Sequence, residues 1–238
     1  MHSFIKLKVG AAAVLAGAAF AAVAGTVEPL TPTTSMADID ARVSYESRQV
    51  MSTGVVRVDT WQEHLVRRGN QVWTERILPP VAHAGHARET VAEHAGHRHF
   101  NAETSARWLT RRAGGQVEVR FVDREHRIVV SVPRAEFGTV GFDGRFDGAA
   151  SIVPPGLAQT MVPQASGSKE GQWLTDRGQG WSHKVLWSAS RQLAMRVEST
   201  RDDGSVQRRV TVQLMPATLA PWSQLSEYTP KQYDDFMD

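Results

Sequence analysis

The chain has no cysteine, which excludes disulfides, thiolate metal centres and covalent haem attachment through C-x-x-C-H. It also lacks a Met-x-x-Met cluster, which disfavours specialisation for Cu(I). Beyond residue 24 no stretch approaches ~20 consecutive apolar positions, so no membrane-spanning helix is expected there. No basic run is present that would carry a nucleic-acid interface, and no phosphate loop appears. The glycines of GTVGFDG (138–144) lack both the G-x-G-x-x-G spacing and a following helix, so dinucleotide binding is not expected.

Enzymatic chemistry has little to stand on. Ser182 and His183 are adjacent, and strand neighbours point to opposite faces, so they cannot form a nucleophile–base pair. Asp123, Glu125 and His126 fall together in DREH, a charged hairpin turn of ordinary kind. A non-enzymatic protein is expected.

The N-terminus is more informative. Lys6 and Lys8 precede an uncharged run rich in Ala, Val, Leu and Gly, and Ala22-Val23-Ala24 stands before Gly25. That is the layout of a secretory signal peptide over residues 1–24 with an A-x-A cleavage site; it points to a periplasm or extracellular space, and a periplasmic location is expected. Cleavage leaves 214 residues and removes two of the 27 basic residues, so the mature formal charge is zero against 25 acidic ones. The Pro- and Thr-rich stretch that follows, to residue 42, reads as a flexible lead-in, and 43–238 as a single domain.

Strand-like runs rich in Val, Thr, Trp and Tyr occupy 43–52, 55–68, 71–78, 116–123, 127–133, 181–188, 193–200 and 205–214. Thr53-Gly54, Gly69-Asn70 and RDDG (201–204) are turn sequences, and Pro79-Pro80 stops the third run. Asn101 as a cap and Gly114-Gly115 as a stop predict a short helix over NAETSARWLTRRAGG, packed through Ala102, Ala106 and Leu109. Thr229-Pro230 predicts a second helix start. The stretch 135–171 is broken by Gly and Pro and reads as loop. The fold class expected is α+β: a curved antiparallel half-barrel of about eight strands, with one or two short helices on its concave face. Each of Trp61, Trp73, Trp108, Trp173, Trp181, Trp187 and Trp222 is read as core. The charged run LVRRGNQVWTER is read as a solvated hairpin face.

Two segments carry a family pattern. In 183–212 the pieces are Leu186-Trp187-Ser188, then Arg191-Gln192-Leu193-Ala194-Met195-Arg196, then Asp202-Asp203-Gly204-Ser205. Together with the opening strands (43–78), these resemble the periplasmic lipoprotein-carrier superfamily that includes LolA, LolB and RseB (MucB). The chain departs from that pattern at Ser188 and Ala189, where an acidic residue is usual, and in an insertion at 81–100. The resemblance implies an open half-barrel with helices over its concave face, binding a hydrophobic ligand or a lipoprotein-like envelope partner, as a carrier or as a regulator.

The insertion carries five of the nine histidines and repeats HAGH. His83 and His86 form one H-x-x-H pair, and His94, His97 and His99 form H-x-x-H-x-H, with Glu89 and Glu93 between the groups. Neutral imidazole is the commonest ligand for Cu(II), Zn(II) or Ni(II), so an accessory metal-binding role is the alternative function. Gly85 and Gly96 inside the pairs weaken any helix that would pre-form the site.

Overall fold

The computed structural model describes residues 36–78 and 101–236. Its body is a single curved sheet of twelve strands rather than about eight. The strands are β1 (Ile39–Val50), β2 (Val56–Arg68), β3 (Gln71–Ile77), β4 (Ala106–Arg111), β5 (Val117–Asp123), β6 (Ile128–Val132), β7 (Val162–Ser168), β8 (Gly171–Gly178), β9 (Trp181–Ser188), β10 (Leu193–Arg201), β11 (Val206–Leu214) and β12 (Thr229–Gln232). Their spatial order is β12-β6-β5-β4-β3-β2-β1-β11-β10-β9-β8-β7, antiparallel throughout except that β12 runs parallel to β6. Two meanders, β1 to β6 and β7 to β11, are thus joined where β1 pairs with β11.

The turns form as their residues dictate. Gly69 adopts φ 51 in the two-residue connection of β2 to β3, and Gly204 φ 72 in the RDDG turn. β1 begins at Ile39, inside the expected lead-in, because Ile39 and Ala41 are buried.

Three expected elements are corrected. The predicted helix at 101–115 is a turn followed by strand β4. Asn101 does bind the Glu103 N–H (2.9 Å), but as a local turn, and Trp108 and Leu109 are then taken up opposite Trp73 and Val72 of β3. The predicted helix start at Thr229-Pro230 is β12, an edge strand where Pro costs no ladder bond on its open side. The expected loop at 135–171 holds α1 (Phe146–Ser151), α2 (Pro155–Thr160) and β7.

Facing residues in antiparallel ladders share a side. One row of the inner face runs Ile39–Arg67–Val72–Leu109–Val119–Val132, and Ala41–Leu65 and Val43–Val212 lie beside it. The segment between β6 and β7 covers these rows, placing Phe142, Phe146 and Ala150 in the same buried cluster. At this end the concavity is therefore filled with protein.

The other face of β3 to β5 is also covered. After β11 the chain crosses behind the sheet, and Trp222, Leu225 and Tyr228 pack on Val66, Trp73, Ala106 and Val122. Asp40, its carboxylate fully shielded, pins this crossing: it accepts Arg68 at 3.0 Å through both oxygens and the Thr218 N–H. Tyr233 and Phe236 then return to the inner cluster.

Arg67 corrects the expectation of a solvated hairpin face. It is 0% exposed and donates to the backbone carbonyls of Ala37 (2.9 Å), Ala150 (2.6 Å), Gln192 (3.2 Å) and Arg191 (2.5 Å). Desolvation lowers its pKa to about 10, opposed by the charge of Asp38.

Candidate functional site

Toward the tip of the β1–β2 hairpin the inner face changes character. A row crosses six strands as Leu174–Val185–Val197–Val210–Tyr45–Trp61. Leu174 and Val185 are buried under α2, whereas Val197, Val210, Tyr45 and Trp61 are half-buried. The side chains form an apolar band at the margin of the buried clusters.

Its aromatic end is held in place by stacking and hydrogen bonds. Tyr45 and Trp61 stack at 4.8 Å with an 8° interplanar angle, and the Arg76 guanidinium lies 5.6 Å from the Trp61 ring. Glu63, opposite both Val43 and Arg76, accepts Trp61 Nε1 at 3.3 Å and the Tyr45 hydroxyl. Burial first, and then the Glu63 charge, hold the Tyr45 phenol well above the usual range. Arg107 lies over Phe142 at 6.0 Å, and its Nε is buried with no partner among the described residues.

The next row out is polar: Asp176–His183–Ser199–Arg208–Ser47–Asp59. The structure joins His183 not to Ser182 but to Ser199 of the neighbouring strand, Nδ1 to Oγ at 2.8 Å. No hydrogen bond or ion pair from a carboxylate to this ring is found among the described residues. A serine hydroxyl beside an imidazole lacks the third group that would orient it as a base. At the other sequence candidate, His126 and Asp123 pair at 2.8 Å while Asp123 also accepts the His126 N–H, so the motif closes its own turn.

A groove of about 690 Å³ opens on the sheet margin, between the Ser44, Gln62 and Thr211 surface and a rim of Ile77, Leu78, Glu103 and Thr104. The chain leaves the described residues after Leu78, which lines this groove, and re-enters them at Asn101, two residues before Glu103 on the same rim. His83, His86, His94, His97 and His99 themselves lie outside the described residues. Among the described residues no three His, Asp or Glu side chains gather as a metal site. No helix among them is long and apolar enough to cross a membrane.

The tryptophans divide. Trp73 is 0% exposed and Trp187 is buried, as the core reading expects. Trp61, Trp108, Trp173, Trp181 and Trp222 are half-buried and engage in ring or cation contacts, so the band at Tyr45 and Trp61 escaped the sequence reading. The signal was the alternation Ala41, Val43, Tyr45 in β1 opposite Leu65, Glu63, Trp61 in β2.

No family model matches the chain, and no curated protein does. Similar solved structures include PNGF-II, with TM-score 0.34 and 10% identity over 84% of this chain, which spans about a third (32%) of that one. A lipoprotein-sorting protein domain from Vibrio parahaemolyticus gives TM-score 0.34 and 7% identity, covering 79% of this chain and 89% of that one. A chain of the MucA/MucB complex from Pseudomonas aeruginosa gives TM-score 0.35 and 10% identity, covering 79% of this chain and 55% of that one. A lipoprotein-sorting protein domain and MucB are among the solved structures similar to this chain.

Proposed function

We propose that this is an exported, periplasmic, non-enzymatic binding protein, a carrier or an envelope regulator, that receives a hydrophobic chain or a lipoprotein-like segment of a partner. The observation that supports it is the half-buried band Val197–Val210–Tyr45–Trp61 on the inner face, at the margin of the buried clusters. A band that mixes Val with stacked aromatics and is bordered by polar residues suits a ligand that is apolar along its length and polar at its end. The filled end sets the scale: an acyl chain lies along the band and does not thread beneath α1.

A synthetic palmitoylated peptide tests this reading. Titration should change Trp fluorescence in the wild type and lose that change in Trp61→Phe, and Val210→Glu should weaken binding at least ~10-fold by placing a carboxylate in the band. Absence of binding in the wild type, together with no acyl chains in mass spectra of the purified protein, would sink it.

The accessory metal role is favoured by one further observation. Leu78 and Glu103, described residues on either side of 79–100, line one groove together with Glu46. Short return distance raises the local concentration of imidazoles for chelation of Cu(II), Zn(II) or Ni(II). Calorimetric titration should then give a binding isotherm that disappears when His83, His86, His94, His97 and His99 are all changed to Ala. Equal isotherms in the two proteins would end this reading.

A further inference from the structure

Over 56–61, β2 has one neighbour among the described residues. β1 pairs with it as far as Val50↔Val56, but β3 reaches only Ile77, opposite Gln62. The hydrogen bonding at the hairpin tip decides which backbone groups this leaves open. Met51 N–H donates to Val55 O at 2.8 Å, and hydrogen-bonded pairs alternate in an antiparallel ladder. Arg57, Asp59 and Trp61 therefore turn their N–H and C=O toward β1. Val56, Val58 and Thr60 turn theirs outward. The bond from Val50 N–H to Ser205 O on the far side of β1 gives the same phase.

Apolar surface gathers at the same place. Met51, Val55, Val56, Val58 and Ile77 are five of the eight large apolar residues exposed among the described ones, with Val58 at 57% and Val55 at 62%. A free edge lined with exposed Val is a template for another strand.

We propose that this edge pairs with the same edge of a second copy of the chain, antiparallel and two-fold symmetric, with Val58 opposite the partner's Val58. Register follows from charge. Centring the pair on Arg57 would place it opposite the partner's Arg57, and centring on Asp59 would oppose two carboxylates. Like charges directly opposite destabilise a ladder. Centring on Val58 places Arg57 opposite the partner's Asp59, and Asp59 opposite the partner's Arg57. Within each chain Arg57 and Asp59 already pair at 2.9 Å, so the dimer closes a square of alternating charges. The outward groups match in this register as well: Val58 bonds Val58 and Val56 bonds Thr60 twice over, about six backbone hydrogen bonds in all. Val55 then falls opposite the partner's Trp61 on one face of the joined sheet, and Val56 and Val58 gather on the other.

Sedimentation of the purified protein between about 1 and 200 µM tests the proposal, since interfaces of this small class associate weakly. A concentration-dependent dimer is expected. Arg57→Asp alone and Asp59→Arg alone each oppose like charges and should weaken dimerisation at least ~10-fold, while the double swap Arg57→Asp with Asp59→Arg should restore it to within ~3-fold. Val58→Pro removes one outward N–H, costs no bond to β1, and should abolish the dimer. Far-UV circular dichroism of each variant should match the wild type. A wild type that stays monomeric over this range overturns the proposal, as does a dimer that both single reversals leave intact. A monomer whose Val58 and Thr60 amides resist hydrogen exchange overturns it too, because the edge is then covered by the chain itself or by another ligand.

Discussion

Arg67→Met should lower the thermal midpoint by roughly 10 °C, corresponding to about 3–5 kcal/mol in a chain of this size. Arg67 stands in an otherwise apolar row, between Ile39 and Val72, and is 0% exposed. Its acceptors are backbone carbonyls from three separate places: Ala37 before β1, Ala150 in α1, and Arg191 with Gln192 in the β9–β10 turn. Where a buried cation faces a carboxylate, replacing both by apolar groups is often neutral. Here the acceptors cannot be replaced, so methionine would fill the volume and leave buried carbonyls without donors. Arg67→Lys should fall between, because one ammonium cannot span groups that the planar guanidinium fork reaches from three nitrogens. Urea denaturation of the three proteins measures this. A midpoint for Arg67→Met within 2–3 °C of the wild type, a loss of no more than about 1 kcal/mol, would show that the carbonyls find other partners.

The same residue explains part of what the sequence could not reveal. In LVRRGN, the pair Arg67-Arg68 beside a Gly-Asn turn has the composition of a solvated hairpin end. Only the arrival of α1 and the β9–β10 turn, 83 and 124 residues away, makes one arginine a core residue. Where local and tertiary preferences agree, the reading was accurate: 181–188 is β9 to the residue, and Gly69-Asn70 is the β2–β3 turn. Where they conflict, it failed. The strand β4 is covered on both faces, by β-sheet core on one side and by Trp222 on the other, so its sequence shows no clean alternation and its alanines imitate a helix face. The helices α1 and α2 contain Gly148 and open on Pro155-Gly156. Each is six residues long and has no side-chain cap, so burial of Phe146, Ala150 and Ala158 holds them. The strand β7, VPQASGS, has one large apolar residue, the exposed Val162, and pairs along the edge that β8 offers; Gly171, where a Cβ would stand 2.2 Å from the Trp187 carbonyl oxygen, allows β8 its close approach to β9. As for the candidate site, the histidines were legible as composition. The Tyr45–Trp61 band needed the β1–β2 register, which fixes Val43 opposite Glu63 and Tyr45 opposite Trp61.

Ending the chain after Thr218 should have the largest effect of all, removing cooperative unfolding. The lost segment closes the sheet on both sides. On the outer face Trp222 stacks parallel to Trp108 at 6.2 Å, and Leu225 and Tyr228 cover Trp73, Val66 and Val122, the first of them 0% exposed in the intact protein. At the edge, β12 pairs with β6, and Thr229 N–H donates to Arg127 O at 2.8 Å. On the inner face Tyr233 and Phe236 join the main cluster. Five large aromatic or aliphatic side chains, of which Tyr233 is buried and the others half-buried, each contribute at most about 1.5–3 kcal/mol by burial, a gross term that still reaches the ~5–15 kcal/mol separating folded from unfolded domains. The ordering of some twenty residues offsets part of it, but the truncated sheet would also expose an indole surface and a free β6 edge, both of which favour aggregation. The truncated protein should therefore bind an apolar dye strongly and melt without a sharp transition. A point variant separates covering from chain length: Trp222→Ala keeps β12 and should cost about 2–3 kcal/mol, a drop of roughly 5–10 °C. A truncated protein that melts cooperatively near the full-length temperature would mean that the two meanders hold the sheet without their outer cover, and that the back-crossing segment has a role other than stability.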